Sequence, residues 1–553
     1  MTINRAEALC HRYRLTAHLR RWHKAEGLFD RCRLGARLRR WHKALALSSI
    51  LFCTAACSQS PPQPGVITVA IPASPNNLDP RYGTDGYSAV AQQLLFNDLI
   101  GFDEHMRLTP ELASSWETTD YQTYLVHLRH GVHFHDGHEL TSTDVVYTFT
   151  SILDPQMASP YRGGYRDLDT VSALDPYTVR FVLKQPTGAF LINLHMKIIP
   201  AGAGRELRDH PIGTGPYEFA SYKVDDTVEV KRFVDYFGGA ARNPGVALKI
   251  VPDDIMRGLE LRKRTTDLIV NDLVPDIAYQ LQREGLALTT APGLDYQYLA
   301  FNFRDPILQD LRVRRAIGYA IDRQSIVEYL GRGLAIPANG LFPPSHWAYE
   351  PNMFTFDYDP DQAKALLDEA GYRDPDGDGP QPRLTLTLRT TTQEFQRLQA
   401  AVIQENLKQV GINLEIRTYE FATLYADVRK GNFQMYTLQW VGGAVADPDI
   451  LRRIFNSQMV DPIGFNRGHF SDPEVDRLLD EAGRATDVDT RRERYGLVQR
   501  RLAELAPYIS LWHKTNYALA QPELDGIQLT PAADFRFLKN VSRRSAPARR
   551  AAN

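Results

Sequence analysis

Five histidines, His127, His130, His133, His135 and His138, crowd into the segment HLRHGVHFHDGHEL. Imidazole nitrogens ligate zinc, and on a strand His133 and His135 would share one face. Asp136-Gly137 is a turn signal, however, and neither the remaining ligands nor a second layer of hydrogen-bonding partners is evident around it. An exported zinc hydrolase is therefore the alternative reading. Asp374-Pro375-Asp376-Gly377-Asp378-Gly379 copies the opening positions of a calcium loop, but Thr385 stands where that loop needs a bidentate Glu. A polar turn fits better. The chain has no phosphate-binding P-loop, no dinucleotide GxGxxG, no GxSxG elbow and no HExxH. Residue chemistry thus points away from an enzyme and implies no cofactor. Arg389 and Trp440 suit binding instead. A guanidinium at a strand end can take a ligand carboxylate in two parallel hydrogen bonds, and a Trp followed by Val441-Gly442-Gly443 offers a flat wall beside backbone that a ligand can approach.

The elements that must position these residues are α/β in pattern. Asp359-Pro360 supplies an N-cap oxygen and a first-turn proline, Ala363, Leu366, Leu367 and Ala370 fall on one helical face, and Gly371 ends the run. Leu384, Leu386 and Leu388 alternate with threonines as a strand. Gln393–Val410 reads as a helix, and Ile412, Leu414 and Ile416 alternate again. Strand, helix, strand with short links predicts two parallel strands and a right-handed crossover. Ligands of open parallel sheets lie beyond the carboxyl ends of such strands, which is where Arg389 stands. Phe433–Trp440 reads as a further strand.

The 553 residues exceed one compact domain, and a composition of 43% hydrophobic, 10% aromatic and 24% charged residues is that of a globular chain. The net charge of -2 conceals a split. Residues 1–43 hold 12 Lys and Arg against 3 Asp and Glu, leaving 52 against 63 in the remainder. Between them, Ala44–Ala56 is uncharged and mostly apolar, yet too short for a helix to cross about 30 Å of hydrocarbon. A basic segment, an apolar stretch and small residues before Cys57 have the order of a secretory signal. Thr54-Ala55-Ala56-Cys57 resembles a bacterial lipobox, with Thr54 where Leu or Val is preferred, so Cys57 is the expected lipidation site. The four cysteines are Cys10, Cys32, Cys53 and Cys57, and a chain cut before Cys57 has no second thiol for a disulfide or a metal site. Arg12–Ala25 recurs as Arg31–Ala44 with 11 of 14 positions identical; a duplicated signal segment accounts for it better than a nucleic-acid arm. Gln59–Pro64 is a Pro-rich tether.

The exported body carries an ordered series of motifs: Leu78-Asp79-Pro80; Leu95-Phe96-Asn97-Asp98-Leu99; Pro110-Glu111-Leu112-Ala113 with Trp116; Phe134-x-Asp136-Gly137 with Thr143-Asp144-Val145; Gly213-Thr214-Gly215-Pro216-Tyr217; Tyr298-x-x-Phe301-Asn302; Ala320-Ile321-Asp322-Arg323; and Pro507-Tyr508 with Leu511-Trp512. From about Val66 to about Phe537 the chain resembles the family 5 extracytoplasmic solute-binding proteins, the peptide- and nickel-binding group of ABC importers. The resemblance implies an α/β, two-lobed periplasmic-binding-protein type II fold with an extra subdomain in the first lobe. Residues 1–56 would be leader and signal, 57–65 a tether, and 66–99 with 209–298 and 511–540 the first lobe. Residues 100–208 would be its subdomain, 299–510 the second lobe and 541–553 a basic tail. It further implies a periplasmic, lipid-anchored monomer that closes about Tyr298–Asn302 and Ser510–Lys514 over a peptide or peptide-like solute. Its partner would be an ABC permease and ATPase complex, with no nucleic acid. A metal-chelate or haem carrier on the same fold is a further alternative.

Site residues carry over in part. Thr84, Asp85, Gly86 and Tyr87 fall where relatives line the site from the first lobe, and Tyr161 where a Tyr packs on the ligand. Trp440 matches the second lobe's Trp, and Arg389 a carboxylate-pairing Arg of dipeptide-binding members. Gly443, next to Gly442, replaces the Asp that holds a peptide's ammonium, and Thr437 replaces an Arg of oligopeptide binders. Asp447 is the next acid along. The expectation is a ligand held by its anionic or neutral end, with little demand for a free amino terminus.

Overall fold

A computed structural model describes residues 65–377, 379–461 and 463–544. The basic leader with its repeat, the Cys57 site, the tether up to Pro64 and the tail beyond Arg544 lie outside the described residues.

One eleven-stranded sheet runs through the body. In chain order its strands are β1 (Ile67–Ile71), β2 (Tyr217–Lys223), β3 (Thr227–Arg232), β4 (Gly245–Ile250), β5 (Leu268–Val270), β6 (Ala287–Phe301), β7 (Ala335–Pro337), β8 (Leu384–Thr391), β9 (Ile412–Tyr419), β10 (Met435–Trp440) and β11 (Tyr508–Ala520). They lie side by side as β9-β8-β10-β6-β11-β5-β1-β4-β3-β2, with β7 added against β11. The two-residue period of a strand sorts side chains into separate cores. On β1, Ile67, Val69 and Ile71 enter one core and Ala70 another. On β6, Leu299 and Phe301 enter one core while Tyr296, Tyr298 and Ala300 enter the core that holds Trp440.

The predicted crossover unit is present. β8, the helix Glu394–Lys408 and β9 follow in order, with β8 and β9 parallel in register from Leu384↔Ile412 to Thr391↔Tyr419. The helix Pro360–Glu369 starts as its sequence requires, Asp359 accepting from the Gln362 N–H at 2.9 Å.

β6 and β11 join the two halves. Residues Ala518–Ala520 of β11 pair with β5, whereas Tyr296–Phe301 of β6 pair with β10. Their mutual antiparallel pairing runs from Ala287↔Ala520 to Pro292↔Thr515, breaks, and resumes at Tyr296↔His513. The ladder slips between Pro292 and Tyr296 and again between Gln297 and Tyr298, and is regular from there to Ala300↔Tyr508.

A four-stranded antiparallel sheet, ordered Ala113–Thr118, Thr123–Leu128, Thr178–Leu183 and Leu168–Asp175, builds a core of its own between Leu99 and Ile198. The Gly213-Thr214-Gly215 turn packs on the end of the helix Gly86–Leu95, where a Cβ at Gly213 or Gly215 would collide with the Leu95 main chain. Glycine is therefore required for that close approach. No helix among the described residues is long and apolar enough to cross a membrane.

Candidate ligand-binding site

The turn that carries Thr84, Asp85 and Gly86 is locked from beneath. Arg81 forms a buried ion pair with Asp79 at 2.7 Å, and the Asp79 carbonyl accepts from the Tyr82 and Gly83 N–H groups, each at 3.0 Å. Asp85 caps the helix that follows by accepting from the Ser88 N–H at 2.8 Å. Thr84 and Gly86 are exposed. The Tyr161 hydroxyl donates to the Gly83 carbonyl at 2.6 Å, which brings the Tyr161 segment against the same turn.

Tyr87 reaches across to Asp272, its hydroxyl donating to Oδ1 at 3.2 Å. Burial pushes the Asp272 carboxyl up to about 6, against the opposing pull of Lys514 and Arg257. Asp272 lines a cavity of about 270 Å³ together with Asp295, Gln297, Gln439 and Lys514. Residues following β5 thus face residues of β6 and β10 across one space. Asp295 Oδ1 accepts from the Gly442 N–H at 2.9 Å, and Gly442–Val445 forms a single 3-10 turn after β10. Gly443 contributes backbone to that turn.

A second cavity of about 410 Å³ adjoins the first, with Gln396 and Gln439 lining both. Its walls include Trp440, Tyr425, Thr391, Thr437 and Arg467. Trp440 is 8% exposed, and the Arg467 guanidinium lies 5.6 Å from its ring centroid. Thr437, buried, hydrogen-bonds through its hydroxyl to Thr390 at 3.1 Å.

Arg389 and Asp447 each have an ion-pair partner within the protein. Arg389 forms an ion pair with Asp427 on the helix Phe421–Lys430 and stacks 4.9 Å from the Tyr419 ring, away from both cavities. Asp447 is paired with Arg491 at 2.8 Å. The histidines are likewise dispersed. His135 Nε2 meets the Gly215 carbonyl at 3.1 Å, His138 Nδ1 meets Asp136 at 2.7 Å, and His130 packs on Tyr177. Burial lowers the His135 pKa.

Residues 107–460 match the profile of the bacterial extracellular solute-binding proteins, family 5 middle region. The chain belongs to this family. The family is one of solute-binding proteins. The chain is 30% identical over 479 residues to heme-binding protein A of Haemophilus influenzae, covering 80% of this chain and 86% of that protein. It is 29% identical over 504 residues to the dipeptide-binding protein of Escherichia coli, with 85% and 93% covered. The ABC transporter-associated periplasmic binding protein DppA of Helicobacter pylori, solved with the peptide STSA, superposes with a TM-score of 0.71 at 27% identity, covering 87% of this chain and 98% of that one. The fold is accordingly the two-lobed periplasmic-binding-protein type II fold.

Of the residues singled out in the sequence, Trp440 lines the 410 Å³ cavity and Gly442 bonds to Asp295 beside the other, while Arg467, Asp272, Asp295 and Thr391, which the sequence does not single out, also line these cavities. Thr391 had a usable signal, since it lies two residues beyond Arg389 on the same strand and so on the same face. Asp295 and Arg467 had none, because Gly442 beside the first and Tyr425 and Trp440 beside the second come from other segments.

Proposed function

We propose that this family 5 protein captures a peptide or peptide-like solute between its two lobes and delivers it to the permease and ATPase of an ABC importer. The observation that carries the reading is the free side of β10. β8 pairs with β10 only at Leu388↔Met435 and Arg389↔Tyr436, so among the described residues Thr437–Trp440 has β6 on one side and no strand on the other. That stretch borders the 410 Å³ cavity. An extended peptide laid there could add main-chain hydrogen bonds as a further strand, with its side chains in the adjoining spaces. The similarity to a dipeptide-binding protein and to a receptor solved with a bound peptide supports the same ligand class. Contacts from both lobes then favour the closed arrangement by their differential strength.

The lobe limits are proposed as 66–99, 209–298 and 511–540 for the first lobe, 100–208 for its subdomain and 299–510 for the second. The mature protein is proposed to be a periplasmic monomer anchored through acylated Cys57, as the charge switch and the Thr54-Ala55-Ala56-Cys57 tail suggest. Intact-mass measurement of the membrane-extracted protein should give a chain beginning at Cys57 with acyl mass added; an unmodified soluble chain would refute the anchor.

The ligand class is tested by native mass spectrometry of residues 57–553 carrying Cys57→Ser, mixed with an equimolar pool of di- to pentapeptides. Retention of peptide is expected. Retention of haem or a metal chelate with no peptide would move the protein to the chelate carriers.

A further inference from the structure

Six arginines are buried among the described residues: Arg81, Arg257, Arg314, Arg323, Arg467 and Arg491. Five have the partners a buried guanidinium needs. Arg81 pairs with Asp79 and Arg491 with Asp447. Arg257 donates to the carbonyls of Val251, Pro252 and Asp272 at 2.7–2.8 Å. Arg314 donates to four carbonyls at 2.8–3.2 Å, and Arg323 to those of Ala338, Ser510 and Phe356.

Arg467 is the exception. It is 8% exposed, and its side chain makes one hydrogen bond among the described residues, from Nη2 to the Tyr425 hydroxyl at 3.0 Å. The rest of its surroundings is aromatic, with the rings of Tyr425, Trp440 and Phe465 centred 4.8, 5.6 and 5.6 Å from Cζ. Asp461, whose carboxyl Arg467 helps to hold low, is bound by Arg429 at 2.7 Å, and Asp472 by Arg501 at 3.0 Å. Two further donors on the same cavity, Trp440 Nε1 and Thr391 Oγ1, are buried without a partner. That cavity has no Asp or Glu in its walls, whereas the adjoining one has Asp254, Asp272 and Asp295.

A buried, permanently charged fork flanked by unpaired N–H and O–H donors, on a cavity with no acid in its walls, is complementary to an anion. The planar guanidinium between flat rings suits a carboxylate, which it can bind in two parallel hydrogen bonds. We propose that Arg467 is the carboxylate anchor of the ligand, in a subsite walled by Trp440 and Tyr425. The anchoring cation is therefore a different residue from the Arg389 expected from the sequence. This deepens the proposed function and rests on it for the peptide class of the ligand.

The test is calorimetry with a matched pair, Ala-Phe and its C-terminal amide, on the intact mature chain and on Arg467→Gln and Arg467→Lys. The acid should bind at least tenfold more tightly than the amide to the unaltered protein, a difference of about 1.4 kcal/mol. Arg467→Gln should abolish the preference, and Arg467→Lys, which keeps the charge but loses the fork, should retain part of it. Equal binding of acid and amide to the unaltered protein overturns the anchor even if neither variant folds, and leaves peptide capture intact. A preference that survives Arg467→Gln but is lost in Arg389→Gln overturns it as well. If neither peptide binds, the peptide reading has failed separately. The subsite is then decided by saturation-transfer NMR with benzoate and benzamide: a benzoate-only signal that Arg467→Gln removes upholds it, and equal signals overturn it.

Discussion

Arg491 Nη2 donates to both carboxylate oxygens of Asp447, at 2.8 and 3.0 Å. Asp447 also accepts from the Asp449 N–H at 2.8 Å, so its acceptor capacity is committed to the fold. Burial raises the Asp447 pKa and Arg491 opposes that rise. Arg491→Leu leaves the carboxylate buried without its cation and should cost about 3–5 kcal/mol of stability. Combining it with Asp447→Asn should recover part of that loss, read as urea midpoints of the two variants. A single variant as stable as the unaltered protein would show that the pair contributes nothing.

How far the sequence reached can be seen at Arg389. Its place at the carboxyl end of a parallel strand followed from the alternating leucines of β8 and the helix after them, and the strand is where expected. Arg389 and Thr391 share a face by the strand period, but the helix Phe421–Lys430 covers that face at Arg389, through Asp427, while Thr391 reaches the cavity. Periodicity fixes which face a side chain takes; it does not fix what the next helix lays over that face. Arg467 was illegible for a related reason. It sits in an irregular segment beside Phe465, and the other rings around it, Tyr425 and Trp440, are brought there only by the tertiary fold. Caps and glycines were easier to read, since Asp359-Pro360 and Gly213-Thr214-Gly215 declare their geometry locally.

Asp272 gives a pH dependence with a defined sign. Its folded-state pKa of about 6 exceeds the ordinary 3.8, so the native state holds this proton more tightly than the unfolded chain does. The stabilisation is complete below about pH 3.8 and is lost as the pH rises through 6. Above that, the native state bears the cost of a buried carboxylate, roughly 3 kcal/mol at 1.36 kcal/mol per pH unit. Asp272→Asn removes this dependence. Its stability relative to the unaltered protein should therefore rise by about that amount between pH 4 and pH 7.5 in urea titrations. A difference that stays flat across this range would rule out the buried carboxyl as its source.

Gly293 lies in the break between the two regular stretches of β6–β11 pairing. A Cβ there would run into the Lys514 carbonyl oxygen, which is main chain and cannot swing aside, and would also crowd Asn516. Gly293→Ala should cost about 1–3 kcal/mol, the usual penalty for overpacking. If the break is the crossing about which the lobes move, small-angle scattering should also show less compaction on ligand addition in the variant. Unchanged stability would mean that the ladder can open locally at no cost.

The expected indifference to a free amino terminus rested on Gly443 standing where an acid would hold the ammonium. An acid from another strand lies beside the Gly442–Val445 turn. Asp295, preceding the Tyr296↔Trp440 pair on β6, places Oδ1 against the Gly442 N–H at 2.9 Å and lines the 270 Å³ cavity that adjoins the one beside Trp440. Among the described residues no lysine or arginine forms an ion pair with Asp295, while Asp447 and Asp85 are committed to Arg491 and to a helix cap. An ammonium entering this cavity can therefore exchange part of its hydration for a carboxylate. N-acetyl-Ala-Phe should bind at least tenfold more weakly than Ala-Phe, about 1.4 kcal/mol, and Asp295→Asn should remove most of that difference by weakening the free peptide alone. Calorimetry on the four combinations settles it. If the acetylated peptide binds as well as the free one, the ligand's amine is not held at Asp295, and the first expectation, a site without an amine anchor, stands.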